Sequence, residues 1–207
     1  MSDAKTDPRA FYEQVLPRDF NRLLDEQAAL GEAGREVLES MRAVNGSLCV
    51  EITGEGGAHY ALNVENGRMT TSDSPRHPPF LTLIQDRAAF EKLANEAGGS
   101  VSAMLGALAG LRGDIRLTRK RMIDLEAVDG LIRYEVTGDA GFVVLSHFGS
   151  GPRPAAPQAS IRLDAAAHAD LRSGALDPQS AFLSGRVDVT GDMEKVMQLA
   201  FAAVSPD

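Results

Sequence analysis

The reactive side chains of this 207-residue chain are few and widely spaced. Its four histidines, His59, His77, His147 and His168, lack the paired spacing by which a strand, knuckle or helix grips a metal ion. Each reads as an ordinary strand, loop or helix-surface residue, and only a fold that laid two hairpins side by side would set His147 near His59. Ser150 lies in Gly149-Ser150-Gly151, but a nucleophile elbow needs a helix after it, and here a proline follows. No glycine-rich nucleotide fingerprint follows a strand. Cys49 is the single cysteine, so neither a disulfide nor a cysteine metal cluster can form. Its apolar neighbours make it a small buried residue. These residues predict no enzyme, no metal and no cofactor.

Binding chemistry is better represented. Arg116, Arg119, Lys120 and Arg121 form the one basic cluster. Arg119, Lys120 and Arg121 would suit a phosphate headgroup or a CoA phosphate; the plainer reading is a solvated strand edge and turn. Arg112-Gly113-Asp114 spells an adhesion tripeptide, but Gly113 already serves a strand start and the chain is acidic. Near the C-terminus, Met193, Val196, Met197, Ala200, Phe201 and Val204 recur at the spacing of one helix face. Such stripes are usually plain core. Methionine thioethers, however, adapt to variable shapes, which also suits a surface for several apolar ligands.

Composition narrows the partners. The formal net charge of −8 argues against nucleic acid, and against holding anionic membranes by charge alone. Hydrophobic residues make up 43% and charged residues 24%, enough for a packed core in one domain or two small ones. Met1 to Asp7 has no apolar signal core, and no run reaches membrane-spanning length. The expectation is a soluble cytoplasmic protein without a transmembrane segment. Transient membrane contact and homo-oligomerisation stay open.

The elements that must position these residues can be taken in order. Asp7-Pro8 is a helix start, with Phe11, Val15 and Leu16 on one face before a stop at Pro17. Two further helical tracts carry Phe20, Leu23 and Leu24, then Val37, Leu38, Met41 and Val44. From Ser47 the period falls to two. Leu48 to Thr53 and Tyr60 to Val64 read as strands, and Asn66-Gly67 as a hairpin turn to a returning strand. Phe80 to Ile84 is a short strand, Asp86 caps a helix, and a second helix is expected over Val101 to Ala109. Gly113, Ile115 and Leu117 mark another strand, with Met122 to Val128 a strand or linker. Near the end, Gly185 opens a strand with Val187 and Val189, Gly191 closes it, and Asp192 caps the last helix.

The same programme runs twice. Glu51-Ile52-Thr53-Gly54-Glu55 is echoed by Glu135-Val136-Thr137-Gly138-Asp139. Asp86-Arg87-Ala88-Ala89 is echoed by Asp164-Ala165-Ala166-Ala167, and Leu111-x-Gly113 by Leu183-x-Gly185. The interval between original and echo shortens from the first pair to the second, and again to the third. A steadily falling offset means a tandem duplication with two loop deletions in the second copy. The expected organisation is a helical lead-in over 1–45, a first unit over 46–130 and a shortened second unit over 131–207. Strands with segregated helices give the α+β class.

The stretch Ala181-Phe182, Gly185, Val187, Val189, Gly191-Asp192 with its closing helix resembles the C-terminal signature of the sterol carrier protein type 2 family. The resemblance implies tandem units, each a mostly antiparallel sheet of about five strands covered by helices. It also implies an apolar tunnel between sheet and C-terminal helix, holding a fatty acid, acyl-CoA or sterol-like ligand, in a non-enzymatic carrier. In that picture Met193, Met197 and Phe201 face the tunnel, and Phe182 and Val189 form its opposite wall. The first copy departs from the pattern, since Arg119-Lys120 stands where the second has Gly191-Asp192. An accessory or protein-interaction domain with a filled core is the alternative.

Overall fold

The computed structural model describes residues 7–96, 116–139 and 141–204. The carboxylate of Asp7 accepts hydrogen bonds from the backbone N–H groups of Arg9 and Ala10, which starts helix α1 (Pro8–Ala10). The chain does not stop at Pro17. It passes through a wide turn of π-helix, Phe11–Val15, into α2 (Leu16–Ala29). Proline has no N–H and crowds the carbonyl one turn back; placing the wide turn just ahead of Pro17 relieves both problems. A 3-10 turn, Gly31–Gly34, leads to α3 (Arg35–Arg42).

The remaining elements are β1 (Gly46–Thr53), β2 (Ala58–Glu65), β3 (Arg68–Ser72), β4 (Pro79–Asp86) and α4 (Arg87–Glu96). After them come α5 (Arg119–Glu126), β5 (Gly130–Thr137), β6 (Phe142–Phe148), β7 (Ala159–Asp164), α6 (Ala165–Ser173), α7 (Pro178–Leu183), β8 (Val187–Gly191) and α8 (Met193–Val204). Asn66 and Gly67 both take positive φ, as a two-residue hairpin turn requires. Met122 to Glu126, expected as strand or linker, is helical. The Thr118 hydroxyl accepts a hydrogen bond from the Arg121 N–H and starts α5 one turn earlier than the sequence pattern suggests. The expected helix over 101–109, the strand start at Gly113 with Ile115, and the Arg112-Gly113-Asp114 tripeptide lie outside the described residues.

Among the described residues, eight strands join one mixed sheet in the order β3-β2-β1-β4-β6-β5-β7-β8. This corrects the expectation of separate five-stranded sheets. Four strands come from each half, and β4 pairs antiparallel with β6 across the middle. The pairing satisfies two backbone edges at once, which two separate small sheets would leave open.

Within that sheet the two halves carry the same registers. The β1–β2 hairpin pairs Gly46 with Val64 and Ile52 with Ala58; the β5–β6 hairpin pairs Gly130 with Phe148 and Val136 with Phe142, all four residues displaced by one constant offset. The parallel pairs Thr53–Asp86 and Thr137–Asp164 occupy corresponding places. Details repeat too. The Thr53 hydroxyl donates to the Gln85 carbonyl at 3.3 Å and the Thr137 hydroxyl to the Leu163 carbonyl at 3.3 Å. The Asp86 and Asp164 carboxylates accept from the N–H groups of Ala89 (2.7 Å) and Ala167 (2.6 Å), capping α4 and α6.

The main core lies on one face of the sheet. Leu48, Val50, Leu62, Val64, Leu83, Ile132, Tyr134, Val144 and Leu163 point into it, and Phe11, Tyr12, Leu16, Phe90, Leu93, Leu125 and Leu171 meet them from the helices. Strand alternation sends Cys49, Glu51, Thr82, Ile84, Leu131, Leu145 and His147 to the opposite face.

Candidate functional site: the C-terminal apolar helix

Helix α8 is positioned by a tight junction. The Asp192 carboxylate caps it, accepting from the N–H groups of Glu194 (3.1 Å) and Lys195 (3.3 Å), while the Asp192 N–H donates to the Gln158 carbonyl at 2.9 Å. Gly191, at φ +86°, lies so close to that carbonyl that a Cβ would sit 2.3 Å from it. The turn therefore requires glycine for both conformation and space.

The packed side of α8 carries Val196, Leu199 and Ala202, which meet the core of the sheet. A second clamp comes from α5. Arg121 is buried, and its guanidinium donates to the Ala202 carbonyl at 3.3 Å and to the Arg116 carbonyl. The Lys195 ammonium donates to the carbonyls of Val128 (3.0 Å) and Asp129 (2.8 Å). These bonds fix the rotation of α8 about its axis.

That rotation decides the fate of the stripe. Met193, Met197 and Phe201 are 42%, 49% and 64% exposed, and Phe182 on α7 is 46% exposed. The family resemblance sets the first three in an enclosed tunnel with Phe182 opposite; they stand on the outer surface of the helix instead. The reason is that α8 is apolar on two sides about 160° apart, and the side with Val196, Leu199 and Ala202 packs against the sheet. Val189 is half-buried on β8. Leu183, 75% exposed, and Ile123, exposed on α5, extend the set of outward apolar side chains. Neither is singled out by sequence reasoning, although the position of Leu183 beside Phe182 is a signal.

The basic cluster divides in the same way. Arg119 and Lys120 are exposed on the first turn of α5, where Lys120 pairs with Asp124, while Arg121 is internal. The expected phosphate contact through all three is thereby corrected: i and i+2 on a helix point to different sides, so Arg121 serves the core.

One histidine is placed differently from expectation as well. His168, expected on a surface, is buried on α6 with its ring centroid 5.5 Å from that of Phe142. His147 pairs in register with Thr82, and His59 with Glu51, so β4 and β1 lie between the two rings. Burial pushes the Cys49 thiol up to about 11, with Glu51 adding to the effect. Among the described residues, no three His, Cys, Asp or Glu side chains gather as a metal site would need, and no helix is long and apolar enough to cross a membrane.

No curated protein matches the chain. Among solved structures, the apo form of Sterol Carrier Protein 2 from Yarrowia lipolytica is similar at 16% identity, over 51% of this chain and 94% of that one, with a TM-score of 0.32. Residues 115–203, which include α5, the second hairpin, β7, β8 and nearly all of α8, match the model of the SCP-2 sterol transfer family.

Proposed function

We propose that the chain is a non-enzymatic carrier of apolar lipids, built as two tandem units over 46–130 and 131–207 behind a helical lead-in. The observation that carries the lipid reading is the outward apolar surface of α8 within the segment that matches a sterol transfer family. The hairpin registers, repeated at one constant offset, support the tandem reading. An acyl chain or sterol laid along Met193, Met197 and Phe201 would gain roughly 25 cal/mol for each Å² of apolar surface removed from water. The ligand class is a fatty acid, acyl-CoA or sterol-like molecule. The test is organic extraction of the purified protein followed by mass spectrometry, together with titration of a fluorescent fatty acid. Co-purified lipid and saturable binding are expected.

A second reading is a protein-interaction domain that uses the same surface. Exposure of the stripe favours it, because large exposed apolar patches also mark protein contacts. It predicts no extractable lipid and no saturation by the fatty acid.

Arg119 and Lys120 would supply a phosphate contact near this surface, since α5 packs against α8. Replacing both by Gln is expected to weaken binding to anionic vesicles by about threefold to tenfold and to flatten its salt dependence. Vesicle co-sedimentation at low and high salt measures this. Unchanged binding at low salt would return both residues to a solvated role.

A further inference from the structure

The Gly/Pro-rich stretch between β6 and β7 takes a long way round. Phe148 ends β6 beside Leu81 and Gly130, and Ala159 begins β7 on the far side of β5. A direct crossing would pass over β5 alone. Arg153, midway along the stretch, instead forms an ion pair with Glu51 on β1, two strands away in the other direction. Glu51 points to the sheet face opposite the main core. Residues 149–158 therefore form a strap whose Arg153 side chain reaches across β4 to β1 on that face.

On the same face lies a row of cross-strand neighbours. Leu131, His147, Thr82 and Cys49 are successive partners on β5, β6, β4 and β1, and all four are buried. The strap begins just after His147, where the Gly149 N–H donates to the Phe80 carbonyl at 3.0 Å. The charged groups around the imidazole come from three places: Arg153 on the strap, Glu51 on β1 and Asp129 just before β5. From β4 and β5 the register neighbours are Thr82 and Leu131, which are uncharged.

We infer that the strap is an acid-released cover over the second face of the sheet, latched by Arg153 and Glu51 and opened when buried His147 takes up a proton. A proton on His147 places a cation in a buried site beside the cationic end of the latch. Burial, and then Arg153, hold the His147 imidazole below its ordinary value, while Asp129 and Glu51 oppose them less strongly. The sign follows. A histidine with a lowered folded value favours the covered state at neutral pH, and that preference is lost as pH falls from the ordinary value of about 6.5 through the folded one. Opening would uncover Cys49, Leu131 and Ile84 without unfolding the main core. This inference concerns the face opposite the helices and does not depend on the lipid reading.

Cys49, the single cysteine, reports the opening directly. Its labelling rate by a small maleimide is measured in the folded protein and divided into the rate for the urea-unfolded chain at the same pH, which removes the intrinsic thiolate dependence. Between about pH 7.5 and about pH 5.5 the protection of Cys49 is expected to fall about threefold or more. In His147→Gln it should stay constant within about twofold over that range. Arg153→Gln should lower it by about threefold to fivefold at the higher pH. Amide exchange of 149–157 in the parent protein, corrected for intrinsic rates, should rise on acidification in parallel; this arm needs no variant. Protection independent of pH in the parent would overturn the inference. So would an unchanged pH response in a folded His147→Gln protein, or full protection in Arg153→Gln.

Discussion

Phe90→Ala is expected to lower the free energy of unfolding by about 3–5 kcal/mol, the range for removing a large aromatic from a filled core. Phe90 is fully buried on α4 and holds three parts of the molecule together. Its ring centroid lies 5.4 Å from that of Phe11 and 5.5 Å from that of Tyr12, both in the wide helical turn of the lead-in. Tyr12 in turn stacks at 5.0 Å on Tyr60 of β2, and its hydroxyl accepts a hydrogen bond from the Gln85 amide of β4 at 2.7 Å. Edge-to-face and tilted ring pairs add about 0.5–1.5 kcal/mol each beyond simple burial. The void left by alanine would sit between lead-in, helix and sheet, where no single element can collapse into it. Urea melts of parent and variant measure the loss. Leu30→Ala, at a position 55% exposed, serves as the control and should change stability by about 0.5 kcal/mol or less. A loss below about 1.5 kcal/mol for Phe90→Ala would mean that the lead-in is only loosely attached.

The second large effect concerns binding. In a protein carrying both Met197→Asp and Phe201→Asp, affinity for a fluorescent fatty acid is expected to fall at least about tenfold, equivalent to about 1.4 kcal/mol. Stability should barely change, because both side chains are about half exposed or more and α8 is held by its other side. Placing carboxylates on the stripe removes apolar contact area and adds charge that a hydrocarbon chain cannot solvate. Met197→Trp separates the surface from an enclosed tunnel. In a tunnel it would block uptake; on an open surface it should fold normally and bind within about threefold of the parent. Loss of binding in Met197→Trp, with retained binding in the double Asp variant, would reverse the assignment and favour an enclosed site.

Much of the architecture is legible because it is written in local chemistry. Alternation along Leu48 to Thr53 and the Asn66-Gly67 turn describe a hairpin that any context would preserve. Asp7, Asp86, Asp164 and Asp192 announce helix starts because a short carboxylate can satisfy N–H groups that the helix leaves open. Two local readings fail for physical reasons. Pro17 reads as a stop, but a π turn absorbs its missing donor. His168 reads as a helix-surface residue, but α6 turns it toward Tyr134 and Phe142.

The sequence by itself determined the strand and helix periods, the caps, the turn glycines and the echo between the halves. Each depends on a few neighbouring residues, or on comparing two stretches of one chain. Tertiary structure alone decided which strand lies beside which and which side of a helix turns inward. A strand's period of two says nothing about its neighbour, so nothing in Thr82 or His147 announces that β4 and β6 pair and merge the halves into one sheet. Likewise α8 is apolar on two sides, and its period cannot rank them. Val196, Leu199 and Ala202 pack inward on the sheet, and at that rotation the Arg121 and Lys195 side chains reach backbone carbonyls. Met193, Met197 and Phe201 were left outside, where the candidate site now stands.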